Sequence, residues 1–137
     1  MTISLGPVRV VIATDGDIVL ARQSGRELAE QVGCSATDAT LIATAISEVA
    51  RNIVSHAGGG EVVITATDAD GHGAIEVVAS DRGPGIADLD RAMQDGYSTG
   101  RGLGLGLPGA RRLMDEFEIR SEVGVGTTVV MRKWLTR

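Results

Sequence analysis

Seven of the chain's 19 glycines fall between Asp81 and Leu107. They form two runs, Asp81-Arg-Gly-Pro-Gly-Ile86 and Gly96-Tyr-Ser-Thr-Gly-Arg-Gly-Leu-Gly-Leu-Gly-Leu107. Glycine at that density disfavours helix and strand interiors, so most of the stretch must be loop between more regular flanks. Loops this long inside a compact domain are usually functional. Glycine lets backbone approach a ligand closely and present N–H groups to it. A helix start just beyond the second run favours phosphate. With a carboxylate at its head, the stretch points to a nucleotide, its base at Asp81 and its phosphates along residues 100–106.

The flanks carry the regular structure. Val8 to Ala13 reads as a strand. Asp15 or Asp17 can cap the helix that follows, in which Ile18, Ala21, Gly25, Leu28, Ala29 and Val32 recur at helical spacing before Gly33 stops the pattern. Ser35, with Asp38 three residues on, is a near capping box for a second helix from about Ala36 to about Ala57. Glu61–Thr67 and Ala74–Ser80 read as an antiparallel hairpin around an Asp/Gly-rich turn at 68–73. That hairpin delivers Asp81 at a strand tip, where a polar side chain can face a cleft without distorting the sheet. A short helix is expected over 88–94. Helical spacing resumes from Leu107 to Phe117, with Pro108 acceptable only in the first turn. Two closing strands, 118–123 and 127–134, flank Gly124-Val125-Gly126.

A length of 137 residues predicts one domain, 1–137. One Phe, one Tyr and one Trp leave the core to aliphatic side chains. The formal net charge of -5 argues against duplex nucleic acid, and the Arg111-Arg112 pair reads as solvent-facing. Cys34, the single cysteine, allows no internal disulfide and reads as a small residue near a helix start rather than a reactive thiol. No apolar run approaches the ~20 residues of a membrane span, and the N-terminus lacks a basic leader region. The expected location is cytoplasmic, with neither membrane nor nucleic acid as partner.

The second helix holds the most informative polar residues. Glu48, Asn52 and His56 lie four apart, so they project in succession from one side of an otherwise aliphatic helix. Beside a phosphate site, a carboxylate and an amide oxygen are suited to proton transfer and Mg²⁺. The bland alternatives stay open: an exposed Glu48 paired with Arg51 or Asn52, and a capping His56. The glycine run does not follow a strand directly and lacks the final x-x-Gly of a dinucleotide fingerprint. No Gly-x-x-x-x-Gly-Lys-[Ser/Thr] is present, and the His-Arg-Asp and Asp-Phe-Gly signatures of the common protein-kinase fold are absent.

Taken together, Glu48-x-x-x-Asn52, Asp81-x-Gly-x-Gly85, Gly102-x-Gly-x-Gly106 and Gly126-Thr127 resemble the four-box ATP site of the gyrase, Hsp90, histidine-kinase and MutL superfamily. The chain is more closely similar to the RsbT-type switch kinases of the bacterial stressosome. Matching stretches are Asp17–Arg26, Thr44–Ile53, Asp95–Thr99 and Gly106–Phe117. It also resembles the anti-sigma-factor kinases, which share Asn52-x-x-x-His56, whereas the switch kinases tend to carry an aromatic at the position of His56.

These resemblances imply an α+β fold: a two-layer α/β sandwich of the Bergerat type, with a mixed, mostly antiparallel sheet and helices on one face. They imply ATP and Mg²⁺ as cofactors. Glu48 would be the base and Asn52 the Mg²⁺ ligand. Asp81 would accept a hydrogen bond from the adenine amino group, with Thr127 supporting that contact through water. Gly83, Gly85 and Ile86 would line the adenine pocket. Gly100, Gly102, Gly104 and Gly106, with Leu103 and Leu105 between them, would form a lid over the phosphates. Arg101 would add charge at the γ-phosphate or else be solvated. The implied reaction is γ-phosphoryl transfer to a serine or threonine of a STAS-domain antagonist. The released kinase would then activate a PP2C-type phosphatase regulator. The competing implication is an anti-sigma factor that sequesters a sigma factor and phosphorylates its antagonist. A homodimer is left open.

Overall fold

The computed structural model of the chain describes residues 3–69, 72–93 and 106–135. The elements run β1 (Ile3–Ile12), α1 (Asp15–Gln31), α2 (Ala36–His56), β2 (Gly60–Ala69), β3 (His72–Asp81), α3 (Leu89–Ala92), α4 (Gly106–Leu113), β4 (Glu116–Glu122) and β5 (Gly126–Trp134). The strands form one sheet in the order β1-β2-β3-β5-β4, and every described pairing is antiparallel.

Period-two alternation divides the sheet into two faces. Val10, Val62, Ala79 and Val129 lie in register across four strands and are all buried. One residue along, the opposite face carries Arg9 paired with Glu61 at 2.8 Å. Further on it carries Arg132 paired with Glu76 at 2.8 Å and with Glu116 at 3.3 Å. The helices therefore cover one face only, giving the two-layer sandwich that the family resemblance implied. Ile12, Ile42, Ile46, Ile64, Ile75 and Met131 are among its fully buried side chains. At about 25 cal/mol per Å², each such aliphatic side chain contributes roughly 1.5–3 kcal/mol. Among the described residues, no helix is long and apolar enough to cross a membrane.

Four boundaries differ from the sequence reading. The N-cap of α1 is Thr14, not Asp15 or Asp17. Thr14 Oγ1 accepts from Asp17 N, and the Asp17 carboxylate accepts from Thr14 N, closing a reciprocal capping box. β1 begins at Ile3 rather than Val8, because its pairing with β2 resumes beyond a register shift between Leu5 and Val8. The β2–β3 ladder continues through Ala69↔His72, so the expected turn over 68–73 is mostly strand. The helix expected to reach Phe117 stops at Leu113. Asp115 N donates to Arg132 O at 2.9 Å, and Phe117 pairs with Met131, so the chain enters the sheet there. The spacing misled because Phe117 is inward-facing under both a helical and a strand periodicity.

Candidate nucleotide-binding site

The sheet register assembles one end of the site. Ile12, Gly60, Asp81, Thr127 and Ser121 form a single row across all five strands. That row lies on the helix-covered face, two residues beyond the Val10–Val62–Ala79–Val129 row. Gly60 leaves room beside Asp81, since a Cβ on it would sit 3.0 Å from the Asp81 Cβ.

Asp81 Oδ1 accepts from Gly83 N at 2.8 Å and from Thr127 N at 3.3 Å. Its Oδ2 makes no hydrogen bond to a described residue. The carboxylate is thus fixed through one oxygen and keeps the other available as an acceptor. Gly83 holds the turn against the end of α2: a Cβ there would come within 2.5 Å of Ala57 Cβ. Gly85 has φ +78, a left-handed conformation suited to glycine, and its Cβ would overlap the carbonyl of Glu122. Gly124 N donates to Pro84 O at 2.9 Å and Ile86 N donates to Ser121 Oγ at 2.7 Å. The 83–86 turn is therefore pinned between α2 and the β4–β5 hairpin, with Ile86 half-buried against the core.

The other end rests on α2. Its inward face, including Ile42, Ile46, Val49 and Ile53, is buried, and Ser35 caps it by accepting from Asp38 N at 3.0 Å. Glu48 is not the exposed glutamate of the bland alternative, since its side chain is only 12% exposed. The pairing with Arg51 does exist: Arg51 Nη1 donates to Glu48 Oε2 at 3.0 Å. Glu48 Oε1 accepts from Gly106 N, the first residue of α4, at 3.0 Å. That contact, spanning 58 positions of sequence, joins the carboxylate to the positive end of a helix. Asn52 is half-buried one turn further along α2, and its side chain makes no hydrogen bond to a described residue. His56 is exposed in the last turn of α2.

Gly100, Arg101, Gly102, Leu103, Gly104 and Leu105 lie outside the described residues, as does the Asp95–Thr99 stretch. Of the expected site residues, the structure brings Asp81, Gly83, Gly85, Ile86 and Thr127 together at one end. Glu48, Asn52 and Gly106 lie together at the other. Ala57, the C-cap of the helix carrying Glu48 and Asn52, meets Gly83 and so links the ends. Ser121 was not anticipated. It is a serine in a strand, and only the β4–β5 register puts it beside Thr127. A shallow depression lined by Glu116, Phe117, Glu118, Val130 and Arg132 lies at the other end of β4 from Ser121 and shares no residue with the site.

The donor set can be tested against Mg²⁺. Among the described residues there is no cluster of three or more His, Cys, Asp or Glu able to cage a cation. Mg²⁺ commonly keeps several waters and takes one or two protein oxygens plus substrate phosphates. A single free amide oxygen on Asn52, beside Glu48, fits that pattern. Cys34 plays no part: burial, and then the charge of Asp38, push its thiol up from its ordinary value and away from the reactive thiolate.

The family profile for a histidine kinase-like ATPase domain matches residues 11–133. The chain is 48% identical over 126 residues to the serine/threonine-protein kinase RsbT of Bacillus subtilis, covering 92% of this chain and 95% of that one. It is 36% identical over 104 residues to an anti-sigma F factor of Halalkalibacterium halodurans, covering 72% and 70% respectively. Among solved structures, the RsbU and RsbW domains of a Mycobacterium tuberculosis protein superpose with a TM-score of 0.64 at 25% identity. That match covers 97% of this chain, which spans 33% of the mycobacterial one.

Proposed function

The chain belongs to the histidine kinase-like ATPase family and, within it, to the RsbT-type serine/threonine-protein kinases; from that premise we propose that it phosphorylates STAS-domain antagonist proteins in a partner-switching pathway and, once released, activates a PP2C-type phosphatase regulator. The observation that supports this reading is a fixed carboxylate with a free oxygen, Asp81, whose Gly83 turn meets the C-cap of α2, together with a second carboxylate on that helix, Glu48, held at the start of α4.

Asp81 Oδ2 accepts from the adenine amino group, and Oδ1 keeps the carboxylate oriented through Gly83 N and Thr127 N. Gly83, Gly85 and Ile86 shape the base pocket. Asn52 Oδ1 would hold Mg²⁺, which would supply charge neutralisation at the nucleotide phosphates. The family resemblance assigns the phosphates to the glycine run 100–106, of which Gly106 is tied through its N–H to Glu48 Oε1. In the transfer step the substrate's seryl or threonyl oxygen bonds to the γ-phosphorus as the bond to the β-bridging oxygen breaks. The hydroxyl proton passes to Glu48, and ADP leaves with the electron pair. Each Glu48 oxygen holds one hydrogen bond and keeps a further lone pair for that proton. General-base assistance of this kind is typically worth ~10²–10⁴ in rate. The rest of the catalysis is positioning and charge stabilisation. Residues 1–137 act as one ATPase domain on this reading.

A second reading, an anti-sigma factor with kinase activity, is favoured by the Asn52-x-x-x-His56 spacing and the anti-sigma F relative. One experiment separates them. The purified chain, with Mg·ATP, is offered candidate STAS proteins and sigma factors, and phosphosites are mapped by mass spectrometry. ATP-dependent phosphorylation of a STAS protein with no sigma complex supports the switch kinase. A stable sigma complex supports the anti-sigma factor, and the absence of any transfer refutes both.

A further inference from the structure

We propose that Ser121 is a positioning residue that sets the hydrogen-bonding sense of Thr127 and thereby sharpens the choice of adenine. The inference rests on reading Asp81 and Thr127 as the base-recognition end. Ser121 Oγ has three polar neighbours: Ile86 N at 2.7 Å, Thr127 Oγ1 at 2.7 Å and Gly126 O at 3.3 Å. Ile86 N–H can only donate, so Ser121 accepts from it. The single hydroxyl hydrogen of Ser121 then has two destinations. The 2.7 Å path to Thr127 lies at the preferred O–H···O separation, and the 3.3 Å path to Gly126 O lies beyond the usual ~2.5–3.0 Å range. Accepting the Ile86 N–H also polarises the Ser121 hydroxyl and strengthens it as a donor. Ser121 therefore donates to Thr127 Oγ1.

The consequence falls on Thr127, which is only 5% exposed. With one lone pair taken by Ser121, its own hydrogen is released to point at a ligand. The row then presents an acceptor, Asp81 Oδ2, next to a donor, Thr127 O–H. Adenine offers the complement on adjacent positions, an amino donor at C6 and an acceptor at N1. Guanine offers the reverse, an oxygen at C6 and N–H at N1. Without Ser121, Thr127 becomes free to turn into an acceptor, and the donor half of the code is lost. Whether Thr127 reaches N1 directly or through one water, the sense it imposes is the same.

The same hydroxyl also anchors the turn through Ile86 N, so the test must separate positioning from plain support. Affinities for ATP and 1-deaza-ATP, in which C–H replaces N1, are measured by calorimetry for the wild type, S121A, S121T, T127V and S121A/T127V. The expected result is an S121A loss of about fivefold on ATP, the worth of one neutral hydrogen bond. No loss is expected on 1-deaza-ATP, and S121T restores ATP affinity. In the T127V background the S121A effect disappears. Equal loss on both nucleotides, no loss on either, or an S121A effect that persists with T127V overturns the proposal. D81N serves as the control on the premise. If it leaves ATP affinity intact, the nucleotide reading itself fails, whereas a weakened D81N with an indifferent S121A sinks only the role of Ser121.

Discussion

Replacing Asp81 by asparagine separates what its carboxylate does for the fold from what it does for the ligand. Oδ1 accepts from Gly83 N at 2.8 Å and Thr127 N at 3.3 Å, while Oδ2 has no described partner. An amide in the same rotamer must put its oxygen toward the two backbone donors, because the opposite orientation would set NH₂ against two N–H groups. The fold thus keeps both contacts but exchanges a charged acceptor for a neutral one. Hydrogen bonds to charged groups are worth about 1.5–3 kcal/mol and neutral ones about 0.5–1.5. Only one of the two contacts is short, so the expected cost is about 1 kcal/mol, or about 3–5 °C in Tm for a domain of this size. The ligand side loses far more. On the proposed reading the amide nitrogen takes the Oδ2 position and meets the adenine amino group, donor against donor. Forfeiting a charged acceptor corresponds to roughly 10- to 150-fold in ATP affinity. Calorimetric titration with Mg·ATP, paired with a thermal melt, reads both quantities on one sample. An ATP affinity within twofold of wild type, with Tm lowered as expected, would refute the reasoning and leave Asp81 a purely structural carboxylate.

Three further outcomes are expected. Glu48→Gln retains an oxygen for Gly106 N, though as a neutral acceptor, and gives up the half-exposed Arg51 ion pair, together about 1–2 kcal/mol; phosphoryl transfer should fall by ~10²–10⁴ in a variant that still melts as a folded domain, and near-wild-type transfer in a phosphosite assay would remove Glu48 as the base. Gly83→Ala places a methyl within 2.5 Å of Ala57 Cβ, so the turn must shift from the end of α2; a loss of about 1–3 kcal/mol in denaturant unfolding together with weakened ATP binding is expected, and an unperturbed variant would contradict the close approach. Asp17 has its carboxyl held below the ordinary range by the N–H of Ala13 first and Thr14 next. Its contribution is therefore present above the unfolded-state carboxylate pKa and is lost as pH falls through the lower folded value. Urea titrations from pH 6 to pH 2 should show a smaller acid-induced drop for Asp17→Asn than for wild type, and identical slopes would show that the capping box carries no pH linkage.

Much of the fold was legible because hydrophobic period and capping chemistry are local. The Ser35 cap and the aliphatic helix that follows it placed α2 to within a residue. Boundaries failed where two local signals coincided. At α1, Thr14 and Asp17 divide the capping box between them, so choosing a single aspartate missed the reciprocal cap. At α4, Phe117 satisfied the helical spacing, but the backbone of Asp115 was captured by Arg132 on a strand nearly twenty residues later.

The candidate site divides along the same line. The amino-acid order determined which residues are chemically able to serve: Glu48 and Asn52 one helical turn apart, a carboxylate at a strand tip, and glycines after it. It also held the spacing of the four boxes from which the family resemblance was read. Only tertiary structure decided their company. The β3–β5 and β4–β5 registers set Asp81, Thr127 and Ser121 in one row, although 40 residues separate Asp81 from Ser121. Packing of α4 against α2 brought Gly106 N to Glu48 across 58 positions. Register and helix packing depend on contacts between segments distant in sequence, so no local pattern encodes them, and Ser121 carries no signal of its own until the strands are paired.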